Sequence, residues 1–226
     1  LTKTAPVLVG GSGSVTFIHR GDLHGHLIPR PDLREGSPVY GRPVGGLANV
    51  AARVAEIRRR QPGALLVNTG DTLQGSAEAL YSEGQVMVDL LTPLKIDVYA
   101  AGNWDYLYGP RRFIELFAGK AAKAPWGSVA ANLYYATLYD FPATPFVRQA
   151  GQRVLPPYRT FSVGKLRVAV IGLTADRPPQ AVSTHVLDGF TLTPGIEELR
   201  HLVPALRRQV DVLVLASERG LAGNLE

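Results

Sequence analysis

The stretch Val15 to His24, VTFIHRGDLH, decides the fold. Its first four residues, Val15, Thr16, Phe17 and Ile18, are β-branched or aromatic and predict a short buried strand. The chain turns at Gly21 and presents Asp22 and His24 with only Leu23 between them. In extended backbone, residues two apart point to one side. A carboxylate and an imidazole are therefore offered together at the strand's carboxyl end, where ligands sit in open α/β sheets. A hard oxygen beside a borderline nitrogen suits a divalent cation such as Mn, Fe or Zn. The same letters also suit a turn aspartate next to a surface histidine. The balance shifts because later strands end in a comparable way.

Downstream, Pro29 to Val44 is rich in Pro, Gly and Arg without periodicity, which predicts a loop. Leu47, Val50, Ala51, Val54 and Ile57 then form an apolar stripe at helical spacing, halted by Gln61-Pro62-Gly63. Ala64 to Asn68 predicts a second buried strand, running into Thr69-Gly70-Asp71. A helix is expected around Gln85 to Leu91 and a third strand over Asp97 to Ala101, ending in Gly102-Asn103-Trp104-Asp105. Pro110 to Phe117 predicts a helix with proline in its first turn, where a missing N–H costs nothing. Ser128 to Asn132 reads as a fourth strand, before a loop carrying Tyr134, Tyr135 and Tyr139. Val154 to Phe161 and Leu166 to Leu173 read as strands, Thr174 to Thr193 as irregular, and Glu197 to Arg208 as a helix. Val210 to Ala216 is a last buried strand, ending in Ser217-Glu218-Arg219-Gly220. Strands and helices alternate throughout, so the class is α/β: layered sheet or sheets flanked by helices in one domain.

The composition of the 226 residues, 46% hydrophobic and 19% charged, is that of a globular chain, and no run reaches the length of a membrane span. The net charge of +5 resides partly in Arg58-Arg59-Arg60 and Arg207-Arg208, which close amphipathic segments where cations favour a helix C-terminus. Aromatic residues are not interleaved with these charges, so no nucleic-acid partner is expected. Absence of cysteine excludes thiolate catalysis, disulfides and Cys-ligated metals. The chain opens on Leu1, and residues 1–14, basic with Gly and Ser, are expected to be a linker into the first strand.

Four strand ends thus carry polar groups: Asp22 with His24, Asp71, Asn103, and Ser217-Glu218. Each alone suits a structural turn. Together they imply one polar crevice of the kind a two-metal centre needs, with a carboxylate able to bridge the ions.

In this order, D-x-H, GD and G-N-x-D resemble the calcineurin-like metallophosphoesterases. The longer match is to their 5′-nucleotidase branch, whose first motif has the form His-x-x-Asp-x-His (here His19, Asp22 and His24). GDTLQGS (residues 70–76), EGQVMVDLL with IDV (residues 83–98) and GNWDYLYG (residues 102–109) are similar to the bacterial sulfur-oxidation (Sox) thiosulfohydrolase group. The resemblance extends from Val15 to the last residue and implies a catalytic domain over residues 15–226, partial because the family's last motif, Gly-His-x-His, is not found. His185 and His201 lie in the wrong context to replace it.

What the resemblance implies is a dinuclear centre, with manganese favoured and iron or zinc as alternatives. Asp22 and His24 would hold the first ion, Asp71 would bridge, and Asn103 would ligate the second. Glu218 stands where the family has a histidine, either as an oxygen ligand or as a solvated loop residue. Trp104 stands where phosphoesterases of the family have a histidine paired with the adjacent acid. Trp cannot titrate, so Asp105 loses its partner, and a sulfur leaving group, which needs less protonation, is favoured. Trp104 also suits an apolar wall with Tyr106 and Tyr108. Asp71, Asn103, Trp104 and Asp105 are the candidate catalytic residues, and His26 a substrate-facing one. The implied activity is hydrolysis of a sulfonate from a carrier-protein cysteine in the periplasm. A 5′-nucleotidase or phosphodiesterase acting on small phosphate esters is the alternative within enzymes, and a catalytically silent, partner-binding homologue the alternative outside them.

Overall fold

The computed structural model describes residues 3–9, 13–136, 151–175, 184–219 and 224. Two sheets form its centre. The first has the order β1-β2-β5-β6, made of β1 (Lys3–Val9), β2 (Gly13–Arg20), β5 (Leu65–Asn68) and β6 (Val98–Tyr99). The second has the order β11-β9-β8, from β8 (Tyr158–Val163), β9 (Leu166–Leu173) and β11 (Val212–Ser217). Strands β2, β5 and β6 run parallel, as do β9 and β11, while β1 and β8 are antiparallel additions at an edge.

The sheets pack face to face. Val15, Leu65, Val67, Val98 and Ala100 of the first meet Val168, Val170 and Val212 of the second in one buried cluster. Helices cover the outer faces. On the first sheet, α1 (Leu47–Arg60), α3 (Gln85–Leu91) and α4 (Gly109–Phe117) bury Val54, Met87, Leu91, Phe113 and Leu116 against Ile18, Leu66 and Tyr99. On the second, α5 (Ile196–Arg207) places Leu199, Val203 and Leu206 over Ala169 and Ile171. The central strands β5 and β9 are buried along nearly their whole length, which is why they read as continuous apolar runs, whereas the edge strand β8 has no fully buried residue. No helix among the described residues is long and apolar enough to cross a membrane.

Several expectations are corrected. Residues 3–9 of the expected linker form β1, in register from Lys3↔His19 to Val9↔Gly13. Thr4, Val7 and Val9 favour strand, and Pro6 is tolerated because β1 is an edge. The expected strand over Ser128 to Asn132 is reduced to a bridge between Ser128 and Tyr99. Its backbone instead ties the two sheets, Ala130 N donating to Pro156 O and Ala131 N to Gly172 O. The strand lies just after it: β7 (Leu133–Tyr135) pairs with β10 (Phe190–Leu192), inside the segment expected to be irregular. Three residues are too few to display an alternating pattern. Strand β8 begins at Tyr158 rather than Val154, because Pro156 and Pro157 have no N–H to give a ladder.

The loop after β2 contains a small hairpin of β3 (Arg30–Pro31) and β4 (Pro43–Val44), closed by Asp32, which accepts from Arg34 and from Ser37 Oγ at 2.9 Å. A short helix α2 (Ala77–Tyr81), also unforeseen, is capped by Ser76 Oγ, which accepts from Ala79 N at 3.2 Å. Tyr139 and Gly220 lie outside the described residues.

The ends of β5 and β6 meet so closely that side chains are excluded. Gly70 has φ 85°, and a Cβ there would stand 1.9 Å from the Gly102 nitrogen. Gly70→Ala is expected to destabilise the fold by more than about 3 kcal/mol in urea unfolding, with the clash dominating the backbone strain. Gly36→Ala, at φ 74° with no atom within 4 Å of the added Cβ, isolates the strain alone. It should cost only about 1 kcal/mol.

Candidate metal centre

The centre is assembled where β2, β5, β6 and β11 end. The loop leaving β2 is zipped along the loop leaving β5 by three backbone bonds: Asp22 N to Gly70 O (3.0 Å), His24 N to Asp71 O (2.9 Å) and Gly25 N to Thr72 O (3.3 Å). Asp22, His24 and Asp71 adopt left-handed φ values of 53°, 45° and 50°, three of the five non-glycine residues that do so among those described. Each such conformer costs about 1–2 kcal/mol, and its concentration here marks a site whose geometry is imposed by the surroundings. The result is that a ligand atom from each of the three lies within 4.8 Å of the others. His24 Nε2 is 3.7 Å from Asp22 Oδ1 and 3.7 Å from Asp71 Oδ2. One imidazole nitrogen and two carboxylate oxygens converging without intervening side chains fit a divalent cation of the Mn, Fe or Zn type.

Asp71 is placed to serve two positions. Its Oδ1 accepts from Trp104 N at 2.9 Å, which leaves Oδ2 toward His24 on one side and Asn103 on the other. With its amide nitrogen toward the carboxylates, Asn103 donates to Asp71 Oδ2 at 3.3 Å and to Glu218 Oε1 at 3.1 Å. Turned by half a turn, the same carboxamide would present its oxygen beside two carboxylate oxygens. The structure thus brings Asp22, His24, Asp71, Asn103 and Glu218 together at one rim. Burial, followed by the Asp105 charge, raises the Asp71 carboxyl from 3.8 to about 6.

Asp105, expected among the reacting groups, stands one layer behind them. It is 2% exposed and accepts five hydrogen bonds. Its Oδ1 takes Thr72 N (2.9 Å) and Leu73 N (3.1 Å), and its Oδ2 takes Asp71 N (3.0 Å), Gly102 N (2.9 Å) and Tyr99 Oη (2.7 Å). The carboxylate holds the β5 loop and the β6 loop in one piece. Trp104 is half-buried, and the aromatic wall expected with Tyr106 and Tyr108 takes a different form. Tyr106 stacks on Phe113 at 4.6 Å in the core, and the Tyr108 hydroxyl donates to Ala79 O. His26 is exposed, with its ring nitrogen Nδ1 3.0 Å from Leu23 O, and is not brought to the cluster. His201 is exposed on α5, as expected of a surface residue. Gln74 was not singled out by sequence. Its side-chain nitrogen lies 2.6 Å from His24 Nδ1, and its place inside the GDTLQGS tract was the available signal.

The Asp105→Asn substitution replaces one acceptor oxygen with an amide that cannot accept, orphaning at least two buried N–H groups. Losing charge-assisted bonds of this kind costs about 1.5–3 kcal/mol each. Urea unfolding at neutral pH should show a loss of about 3–5 kcal/mol; a loss below about 1 kcal/mol would remove Asp105 from its organising role.

Residues 15–214 match the family model for the calcineurin-like phosphoesterases. Human 5′-nucleotidase is 26% identical over 214 residues, covering 90% of this chain and 32% of that protein, and the apyrase of Aedes albopictus is 22% identical over 206 residues. Among solved structures, the Thermus thermophilus sulfate thiohydrolase SoxB superposes with TM-score 0.74 at 19% identity, covering 95% of this chain and 45% of that one. A 5′-nucleotidase precursor, also from Thermus thermophilus, superposes with TM-score 0.73 at 24% identity, covering 93% and 38%. The chain spans about a third of the length of the curated relatives it matches. With both sheets, their covering helices and the strand-end ligand cluster falling almost wholly inside the matched residues, the chain belongs to the calcineurin-like phosphoesterase family.

Proposed function

We propose that residues 15–226 are part of the catalytic domain of a dinuclear metal hydrolase. Asp22 and His24 would hold one divalent cation, Asp71 would be shared, and Asn103 and Glu218 would hold the second, manganese being favoured over iron and zinc. When bound, such cations supply an activated water and neutralise charge developing on the attacked centre. The substrate we favour is an S-sulfonate on a carrier-protein cysteine, met outside the cytoplasm. Water adds its oxygen to the sulfonate sulfur, the S–S bond breaks, and the products are sulfate and the carrier thiol, the water's protons being shared between them and solvent.

The observation that carries this reading is Trp104. Its backbone N–H holds Asp71 Oδ1 at 2.9 Å, while its indole side chain has no titratable group to protonate a leaving group. A thiolate leaves without such help, because thiols are stronger acids than alcohols by several pKa units. Asp105 does not fill the gap, since all its donors are internal. A second reading, hydrolysis of nucleotide phosphate esters, is favoured by the names of the curated relatives that align over most of the chain. Assays of the full-length protein with manganese should release sulfate from an S-sulfonated peptide faster than phosphate from a nucleoside monophosphate or an aryl phosphate. Preference for the nucleotide would establish the second reading, and no turnover of any substrate would leave a silent homologue.

Cation binding is expected to depend on pH through Asp71. A carboxyl raised to about 6 in the folded protein, above its ordinary 3.8, contributes stability at pH below about 4 and loses it as pH rises through 6. A cation needs the ionised form and so competes with that proton. In calorimetric titrations the manganese affinity should be level above about pH 7 and fall by at least about tenfold per pH unit below about 6, the proton on Asp71 alone accounting for about one factor of ten. Constant affinity from about pH 5 to about pH 7 would show that Asp71 is not a ligand.

A further inference from the structure

Gln74 belongs to none of the ligand positions above, yet it controls one of them. Its side-chain nitrogen is 2.6 Å from His24 Nδ1. The other ring nitrogen, Nε2, faces Asp22 Oδ1 and Asp71 Oδ2, each at 3.7 Å. The imidazole is thus gripped at one nitrogen and aimed by the other. The backbone beneath leaves little slack. His24 N is fixed to Asp71 O, and Gly75, at φ 115°, lies so near His24 that a Cβ would stand 2.2 Å from its carbonyl oxygen. That close approach carries the Gln74 side chain back over the ring. Gln74 is half-buried, which reduces the competition of water for its carboxamide.

We propose that Gln74 is a positioning residue of the cation site: it fixes the rotation of the His24 ring and selects Nε2 as the nitrogen offered to the ion. This inference rests on the metal-centre reading above. A neutral imidazole binds a cation through one lone pair and carries its proton on the other nitrogen, which then needs an acceptor. As observed, the carboxamide nitrogen faces Nδ1 and serves as a donor to the tautomer that carries its proton on Nε2, as suits the empty site. After half a turn the carboxamide oxygen becomes the acceptor that the loaded tautomer needs. Gln74 therefore satisfies the ring in both the loaded and the empty site without placing a further charge next to Asp22 and Asp71. A carboxylate would serve only the loaded tautomer, and a thioether side chain of similar length would serve neither.

The test compares full-length wild type, Gln74→Met and Gln74→Glu by manganese titration calorimetry at about pH 7.5, above the range in which protons compete for the site. Thermal unfolding of the metal-free proteins runs in parallel. Loss of a hydrogen bond to a metal-bound histidine weakens binding by about 10–100-fold. Gln74→Met is expected to fall in that range, with a metal-free unfolding midpoint close to wild type. Gln74→Glu should stay near wild type or bind more tightly, because it keeps the acceptor. In zinc-loaded protein, nitrogen–proton correlation spectra should place the His24 proton on Nδ1. Equal weakening in both variants would assign the effect to lost packing, and wild-type affinity in Gln74→Met would remove the role; either overturns the inference while leaving the metal centre intact. A wild-type protein that binds neither manganese nor zinc overturns the metal centre and the inference with it.

Discussion

Asp105 accepts Thr72, Leu73, Asp71, Gly102 and Tyr99 on a single buried carboxylate, and the site cannot be built without this convergence. Two loops that leave neighbouring parallel strands would ordinarily diverge toward solvent. Here their N–H groups turn inward toward one charge, which shapes the β5 loop and presses Gly70 against Gly102. Asp71 donates its N–H to the same carboxylate and stands at φ 50°, with its own Oδ1 held by Trp104 N. A buried anion surrounded by backbone donors is far less costly than an unpaired one. The strain at Asp22, His24 and Asp71 is sustained by this fastening rather than by local preference.

Two carboxylates therefore divide the labour in opposite senses. Asp105 has all its acceptor capacity used inside the protein. Asp71 has one oxygen held by Trp104 N and the other directed at His24 and Asn103, and its carboxyl is raised to about 6 by burial and by the Asp105 charge. The cost of keeping Asp71 ionised in metal-free protein would be the counterpart of affinity for the proposed cation. Sequence spacing alone gives no indication which of two neighbouring acids is the strut and which the candidate ligand.

Much of the strand-end cluster was nevertheless legible. Apolar runs that stop at Gly-Asp or Gly-Asn identify strands buried on both faces with polar ends, and Asp22, His24, Asp71 and Asn103 follow from that pattern. Glu218 followed from the same rule on β11. Legibility failed where the deciding forces were non-local. That residues 3–9 add an edge strand depends on the partner β2, and the pairing of β7 with β10 joins segments more than fifty residues apart. The division into two sheets was equally hidden. A strand buried by a helix and one buried by another sheet read alike, since both demand only apolar side chains. His26 lies outside the ligand cluster, and extended spacing fails over the whole turn: Asp22 and His24 themselves stand at φ 53° and 45°, and Gly25 at 64°. Asp22 meets His24 through the backbone bonds to Gly70 and Asp71 and not through extended geometry.

The contact between Asn103 and Glu218 crosses from the β6 end of one sheet to the β11 end of the other. A cation seated between them would do more than prepare a reaction. It would act as a clasp at the open rim of the sandwich, adding to the apolar side chains, the backbone bonds and side-chain bonds such as Thr174 Oγ1 to Ala101 O that already tie the two layers together. Occupancy and mechanical integrity would then be one property, with loaded protein resisting separation of its halves and stripped protein loosening first along that rim.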